Sequence, residues 1–494
     1  MRTSSFSIAV VGSQRSWYLP IAMGTAAAAM VGVAAIAPWT IALWAGLTVF
    51  TLAFLENEVF ILTFMFLSPV GMIASYGGLS DLGVAARGLV AAGMLSGRLC
   101  RGQLDIKELL RPTITRTSLL FLGAVVISAV FCTSGEPRAA FRGVYFIATY
   151  VAFFLAMFAW VNSREKLRKT LFTLMLSAVF VCLFAFYQWI AGGYTSLWLM
   201  LYGRSGDVED WVQRPPSVLQ SYGALGAYIN LILGFALACF FLSPERKWRR
   251  LSGLLLGVGV VALLLTQTRG EYMGFVALLL VAVWFFARSL RSRILFSILL
   301  LAVISAATIV ALRINPTRFN VQGDSNLLGR LVLWNAAWQL FQSSPIHGVG
   351  FGTFMLIVDR YVPQLPQMAL RVEVHNVYFE LLAETGLLGF ITFCVFLCSV
   401  WRYGFSQRSS GDWLHRSLVF AVLASVVGTM VDSFANHNIF WAAQVGSLFW
   451  MLAALLAANK RDNHGSRETC SAVVWADPTY KAGWPGKEGA VEPL

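Results

Sequence analysis

The sequence predicts an all-α protein that crosses a membrane many times, and three observations support this prediction. Hydrophobic residues make up 58% of the 494-residue chain and charged residues only 12%, whereas soluble domains average about 25% charged residues. The mean hydropathy is +0.69. The apolar residues also fall into runs of about 17–25 residues, the length that a spanning helix needs. A soluble fold is therefore excluded.

The apolar runs predict about 12–14 transmembrane helices. The candidate spans lie near residues 17–37, 38–55, 59–76, 82–99, 117–133, 143–161, 170–191, 219–242, 251–268, 271–287, 294–312, 377–400, 416–434 and 438–458. The first resembles a signal peptide, but another apolar run follows at once, which predicts an uncleaved helix. The fourth is the weakest because Arg87 and several glycines interrupt it, so a re-entrant or interfacial segment is the alternative.

Basic residues set the predicted orientation. They cluster between apolar runs near residues 98–116, 164–169, 246–250, 288–293 and 402–416. Short basic loops stay on the cytoplasmic side of a membrane, and threading all the spans with the N-terminus inside puts every cluster there. The same distribution accounts for the net charge of +13 without a nucleic-acid partner.

This threading divides the chain into a cytoplasmic N-terminus (1–16), a transmembrane domain (17–458) and a tail (459–494). The tail is rich in Gly, Pro and charge, which predicts disorder on the cytoplasmic side. Two polar segments face outward, a shorter one over about 192–218 and a large loop over 313–376. A connection as long as the second is typical of a lid or a binding loop.

The large outer loop contains a predicted helix from Leu328 to Phe341. One stripe of this helix is apolar and contains Leu331, Trp334, Ala337 (or Trp338) and Phe341. An amphipathic helix of this kind is expected to lie on the outer membrane surface.

Arg269 and Arg330 are the outer-facing cations with the clearest functional interpretation. Arg269 lies in a short turn between two spans, and Arg330 lies at the start of the loop helix. Guanidinium groups bind phosphate oxygens bidentately and remain charged at any relevant pH. The pair therefore fits a pyrophosphate at the headgroup level, whereas an interfacial anchor and a solvated charge are the simpler interpretations.

His375 stands where the large loop re-enters the membrane. A neutral imidazole accepts a proton near pH 7, which suits a general base toward a hydroxyl nucleophile; a helix-entry histidine bound to backbone groups is the simpler alternative. Glu380 and Glu384 follow on one helix face. Carboxylates within a membrane span have a functional or pairing role by default, although the sequence does not identify their partners.

Other polar groups on the outer side give weaker signals. Asp432 and the Asn436–Asn438 turn either line the same cavity or cap helices, and capping is favoured. The acidic residues Asp207, Glu209 and Asp210 resemble a solvated loop, and the arginines are available to neutralise a pyrophosphate, so neither a metal ion nor a cofactor is predicted. The seven cysteines lie mostly in apolar runs and are interpreted as core residues.

Three stretches of the chain resemble the O-antigen ligase and polymerase superfamily of bacterial membrane glycosyltransferases. They are TQTRG around Arg269, GRLVLWNAAWQLFQSSPIHGVGFGTF around Arg330 and HNVYFELLAETGLLG from His375. Their order and rough spacing are typical of that family, and the likeness covers about residues 260–400. Members of the family usually have about twelve spans, so the count of fourteen is an upper limit.

The resemblance implies the polytopic type-C glycosyltransferase fold and a glycan donor carried on undecaprenyl pyrophosphate. Arg269 and Arg330 would bind the donor pyrophosphate, and His375 would activate the acceptor hydroxyl, with inversion at the anomeric carbon. Asn376 and Glu384, in the third stretch, are candidate substrate-binding residues. The expected location is the bacterial cytoplasmic (inner) membrane, with the active site facing the periplasm or outside and in contact with membrane lipid.

The sequence leaves the acceptor open. A lipid core would make the protein a ligase, a glycan repeat a polymerase, and a protein hydroxyl an O-oligosaccharyltransferase. A secondary transporter is the alternative from another class, although the candidate residues collect at the outer surface rather than at the midplane. A non-catalytic partner in glycan assembly is the third alternative, and it requires that His375 be dispensable.

Overall fold

The computed structural model describes residues 38–70, 82–191, 214–219, 221–287, 289–314, 325–362, 374–408 and 411–458, and within these ranges it contains helices and no strand. The helices are α1 Pro38–Phe54, α2 Glu58–Leu67, α3 Leu82–Cys100, α4 Ile106–Leu110, α5 Thr113–Val130, α6 Pro137–Trp160, α7 Arg164–Ile190, α8 Tyr222–Leu242, α9 Arg246–Thr266, α10 Arg269–Phe286, α11 Leu290–Ile314, α12 Ser325–Ser343, α13 Phe354–Ile357, α14 Val377–Ser406, α15 Trp413–Asp432, α16 Asn438–Trp441 and α17 Ala443–Ala458. The first predicted span, both predicted termini and the acidic cluster Asp207–Asp210 lie outside the described residues.

Length and composition identify the membrane helices. Among the described residues, eight helices are long and apolar enough to cross a membrane, namely α5 to α10, α14 and α15. The shorter apolar helices include α2 and α17. The protein is therefore an all-α polytopic membrane protein, as its composition predicts.

Side-chain caps fix several helix starts at the boundaries that the apolar runs indicate. Ser163 accepts a hydrogen bond from the backbone N–H of Lys166 at the start of α7, and Ser221 accepts one from Ala224 at the start of α8. Asp412 does the same at the start of α15. Such caps satisfy the backbone donors that a helix leaves unpaired at its first turn.

The fourth predicted span forms one continuous helix, α3, rather than a re-entrant segment. Arg87 is buried there, and its guanidinium donates to the carbonyl oxygens of Gly83 at 2.6 Å and Ser68 at 2.5 Å. Protein therefore solvates this cation, and the chain avoids exposing it to lipid. The glycines serve packing, because a Cβ at Gly93 would lie 2.6 Å from the carbonyl oxygen of Phe50 on α1.

Ion pairs join the predicted cytoplasmic ends of several helices. Arg98 binds Glu56, Lys169 binds Glu58 at 2.7 Å, Arg168 binds Glu245 at 2.8 Å, and Arg164 binds Asp412. Each exposed pair contributes little stability by itself. Together they bring the ends of α3, α7, α9 and α15 to one end of the bundle, as the positive clusters predict.

The helices α8, α10 and α15 pack closely on one another. α8 packs on α9 and α15, and α10 packs on α15. At the contact between α10 and α15, a Cβ on Gly274 would lie 3.0 Å from the carbonyl oxygen of Gly428. This close approach places the first turn of α10 beside the last turn of α15.

The predicted loop helix is present as α12, but its buried stripe differs from the predicted one. Leu331 is 49% exposed and Trp338 43% exposed, whereas Leu333 and Leu340 are buried, together with Ala336 and Ala337. α12 carries apolar residues on more than one face, so the sequence does not say which face packs on protein. The buried face packs on α14.

Candidate functional site

The candidate site lies at the end of the bundle opposite the ion pairs. There α10 begins at Arg269, α15 ends at Asp432 and α14 begins at Val377. The turn from Ser433 to His437 follows α15 directly and runs beside the start of α14, because Val377 donates its backbone N–H to the carbonyl oxygen of Ser433 at 3.0 Å.

His375 precedes α14 in a left-handed backbone conformation, with φ of +51°. Such a conformation is uncommon for a residue with a Cβ and needs support from its surroundings. The half-buried imidazole ring stacks on the ring of His437, with centroids 5.0 Å apart and planes 30° apart. His437 is 7% exposed. The structure thus pairs the predicted base with a second histidine.

Asn376 holds the start of α14 against the end of α15. Its Oδ1 accepts hydrogen bonds from the backbone N–H groups of Tyr378 at 3.0 Å and Phe379 at 3.2 Å. Its Nδ2 donates to the carbonyl oxygen of Phe434 at 3.2 Å. The side chain therefore caps the helix and fixes where His375 lies; its predicted contact with substrate stays a prediction.

A buried carboxyl group, Glu271, lies at the centre of a polar cluster that includes both neighbours of His437. Its Oε1 accepts from Asn436 Nδ2 at 3.2 Å and from Asn438 Nδ2 at 3.3 Å, and its Oε2 accepts from Asn230 Nδ2 at 3.1 Å. Asn436 also donates to Asp432 at 2.5 Å. The sequence favours helix capping for the Asn436–Asn438 turn, but the structure shows that its asparagine side chains bind buried carboxyl groups instead.

Glu271 and Asp432 lie next to each other, because the same Asn436 Nδ2 donates to both carboxyl groups. Two buried carboxylates this close repel each other, so the site favours a proton on one of them. Arg330 and His437 lie close enough to Asp432 for electrostatic attraction. The structure therefore brings Arg330, predicted to bind phosphate, to the same cluster as the histidines.

Glycines make room for this cluster. A Cβ at Gly226 would lie 2.5 Å from Glu271 Cγ, and one at Gly270 would lie 2.8 Å from Asp432 Oδ1. Glu271 and Asp432 line a small cavity together with Ala227, Asn230, Gly428, Thr429, Ile439 and Val445.

Arg269 is the first residue of α10 and is exposed. Its turn is anchored from a neighbouring segment by Arg214, whose Nε donates to the carbonyl oxygen of Thr266 at 3.0 Å. The guanidinium of Arg214 also lies over the ring of Tyr222, 3.5 Å from its centroid. Because Gly270 packs against Asp432 and Asn436, the Arg269 backbone adjoins the cluster.

The two carboxylates that follow His375 on α14 have partners within the protein. Glu384 accepts hydrogen bonds from the backbone N–H groups of Gly352 and Phe354, both at 2.8 Å. Glu380 accepts one from the indole N–H of Trp441. Glu384 is 1% exposed, so its carboxylate holds the loop before α13; its predicted contact with substrate stays a prediction.

α14 is interrupted just after Glu384. Gly386 has φ of +62° and ψ of −165°, a conformation that is essentially restricted to glycine. Residues 345–350 fill the break with four backbone hydrogen bonds: Val349 to Ala383, Gly350 to Glu384, Leu387 to Pro345 and Leu388 to Ile346, at 2.8–3.1 Å. The Gly-rich GVGFG stretch is thus a structural partner of α14.

Metal ligands are not gathered at this site. Within the part of the chain that the structure describes, no group of three or more His, Cys, Asp or Glu side chains is placed to hold a metal ion. Metal-independent chemistry stays a prediction.

Sequence reasoning missed Glu271 and Asn230. Glu271 directly follows the arginine motif and belongs to the first turn of α10, whereas Asn230 lies within the apolar run of α8. The available signal is the rule that polar and ionisable residues within spans are candidates for function. Their convergence depends on the packing of α8, α10 and α15, which one sequence does not reveal.

Residues 254–394 match the protein-family model described as O-Antigen ligase. The matched range contains Arg269, Arg330, His375, Asn376 and Glu384, and it ends before Asp432 and His437. A search of curated proteins gave no match.

Proposed function

We propose that this chain moves a glycan from undecaprenyl pyrophosphate to an acceptor hydroxyl. The match of residues 254–394 to the O-Antigen ligase family model supports glycosyl transfer in general. His375 removes the hydroxyl proton, and the oxygen attacks the anomeric carbon with inversion. The bond from that carbon to the phosphate oxygen breaks, and its electron pair leaves with the lipid pyrophosphate.

One observation supports this proposal most directly. His375, His437 and Arg330 lie near the buried pair of carboxyl groups at one end of the bundle. Positioning and charge stabilisation are the main tasks when the leaving group is a pyrophosphate. Arg330 and Arg269 neutralise that group, and no metal ion or cofactor takes part.

Asn376 and Glu384 support the site through contacts within the protein, and their binding to substrate remains part of this proposal. Asn376 sets the position of His375 through the helix cap and Phe434. Glu384 holds the loop at Gly352 and Phe354.

The proposed location is the bacterial cytoplasmic membrane, with the site facing the periplasm or outside. The basic clusters and their ion pairs occupy the opposite end of the bundle, which is the cytoplasmic end under the positive-inside rule. The cytoplasmic N-terminus, the transmembrane domain and the cytoplasmic tail keep the bounds 1–16, 17–458 and 459–494.

The test is the size of the undecaprenyl-linked glycan that accumulates when the protein is deleted in its own host. Long polymer on the lipid indicates a ligase, toward a lipid core or a protein hydroxyl, and single repeat units indicate a polymerase. Returning the wild-type protein clears the accumulated lipid, and the His375→Ala protein does not. Unchanged surface glycan without accumulation contradicts the proposal, and an active His375→Ala protein leaves only a non-catalytic assembly role.

A secondary transporter is the second candidate, and two observations favour it. α14 is broken at Gly386, and the buried Glu271–Asp432 pair is the kind of group that takes up protons in transporters. Uptake or export of a solute that is lost on deletion, with glycan unchanged, would support this candidate.

A further inference from the structure

His437 lies against His375 because two neighbouring asparagines hold its turn. We propose that His437 is a positioning residue that orients the His375 ring, and that Glu271 fixes His437 in place. The inference rests on the proposed function, in which His375 accepts the proton of the acceptor hydroxyl.

Hydrogen bonds to Glu271 attach the turn that contains His437. Asn436 and Asn438 flank His437, and both donate to the same oxygen, Oε1 of Glu271, at 3.2 and 3.3 Å. Asn230 donates to the other oxygen at 3.1 Å and to the Glu271 carbonyl oxygen at 2.9 Å. Glu271 therefore connects α8 and α10 to both sides of His437.

The burial of Glu271 has a cost in free energy. Glu271 is 0% exposed, and burying a carboxyl group in a membrane domain is unfavourable even when it is hydrogen-bonded. Gly226 and Gly270 leave the space that its side chain and its partners occupy. An apolar side chain in this position would pack without that cost, so the polar cluster has a task other than stability.

Titratable groups on three other elements surround His437. His375 faces it from the start of α14, Asp432 from the end of α15, and Glu271 anchors its turn from α10. Arg330, on α12, acts on the same Asp432. The negative charge of the acidic pair therefore offsets the charge of Arg330 beside the two imidazoles.

The two imidazole rings stack with centroids 5.0 Å apart and planes 30° apart. This contact restricts the rotation of His375, which is already held by its left-handed backbone. An aromatic ring without a titratable proton can make the same contact, whereas proton relay requires a ring nitrogen. A phenylalanine in place of His437 therefore separates orientation from relay.

The experiment compares His437→Ala with His437→Phe. Purified full-length variants are added to membranes of the deletion strain, which hold the accumulated lipid-linked glycan, and the initial rate of its consumption is measured over a range of donor concentrations. His437→Ala should lower the donor-saturated rate by about tenfold to hundredfold, as expected for a misplaced base. The half-saturating donor concentration should change by less than about threefold, because the arginines are untouched. His437→Phe should restore most of the rate.

Glu271 is tested in the same assay. Glu271→Gln keeps an oxygen for Asn436 and Asn438 and should retain most activity, whereas Glu271→Leu should lose as much as His437→Ala. The Glu271→Leu and His437→Ala double variant should be no slower than the slower single variant, because both changes release the same ring. His415→Ala is the matched control, since that histidine is also buried but lies in the first turn of α15, at the opposite end of the bundle.

Equal losses in His437→Phe and His437→Ala would overturn the orienting role, and so would full activity in both. Fully additive losses in the double variant would overturn the link from Glu271 to His437. His375→Ala is run in parallel: if it is as fast as wild type, the proposed function itself fails, whereas its inactivity beside a fully active His437→Ala rejects this inference alone.

Discussion

Arg330 is the residue of the candidate site for which the exact side chain matters most. It lies on α12, half-buried, within electrostatic reach of Asp432. A guanidinium presents two parallel N–H groups to a phosphate, and an ammonium group of the same charge does not. The identity of the residue is therefore as important as its charge.

Arg330→Lys should lower the rate of glycan transfer at least about tenfold, since one charged hydrogen bond contributes about 1.5–3 kcal/mol. The rate is measured with the lipid-linked glycan of deletion-strain membranes. Arg360→Lys is the control, because Arg360 is exposed and donates to the Ser134 carbonyl oxygen away from the cluster. A near-normal rate in Arg330→Lys would rule out bidentate binding by this residue.

At the residue scale, the sequence predicts which side chains are candidates but not what they contact. His375 and Arg330 follow from their motifs, and the structure brings both to one cluster. The role of Glu271 could not be predicted, because its partners Asn436 and Asn438 belong to a segment more than 160 residues away in the sequence. A spacing pattern along one chain carries no information about such a pair.

At the scale of elements, the break in α14 matters most. The stretch 377–400 is predominantly apolar, so the sequence predicts one continuous span there. The structure instead shows a left-handed glycine whose Cβ would lie 2.5 Å from the carbonyl carbon and oxygen of Ile346. Similarly, the span predicted over 438–458 consists of α16 and α17, separated at Ala442.

Gly386→Ala should destabilise the protein by at least about 1–3 kcal/mol, the usual cost of such a backbone conformation, with a further cost from the clash at Ile346. It should also lower activity, because the loop and α14 hold each other in position. Thermal unfolding in detergent measures the first effect. Gly123→Ala is the control: Gly123 lies in α5 with nothing within 4 Å of a new Cβ, and alanine favours a helix. Equal stability of the two variants would contradict the account of the break.

At the scale of the whole molecule, composition and charge distribution predict the fold class and which helix ends meet. The ion pairs of Arg98, Arg164, Arg168 and Lys169 lie at one end of the bundle. The alternation of the spans puts the basic clusters and the acidic residues near them on the same side, so the sequence alone predicts this arrangement. Hydropathy carries no information about which helices are neighbours, so the packing of α10 on α15 could not be predicted.

A metal-independent reaction is a prediction about the whole molecule. Glycan transfer should proceed at an unchanged rate in excess EDTA, because Arg269 and Arg330 neutralise the pyrophosphate in place of a divalent ion. The assay uses washed membranes from cells that express the protein. Loss of activity in EDTA, with recovery on addition of a divalent cation, would show that the arginines are insufficient.

The interlocked break in α14 also determines how firmly the loop before α13 is held. Four backbone hydrogen bonds join residues 345–350 to residues 383–388, and in a water-poor setting each unmade bond would leave polar groups without solvent. Separating the loop from α14 would break all four bonds together, as well as the two bonds to the Glu384 carboxylate. The stretch from 345 to 354 is therefore expected to move with α14 as one unit, although it has no long helix of its own.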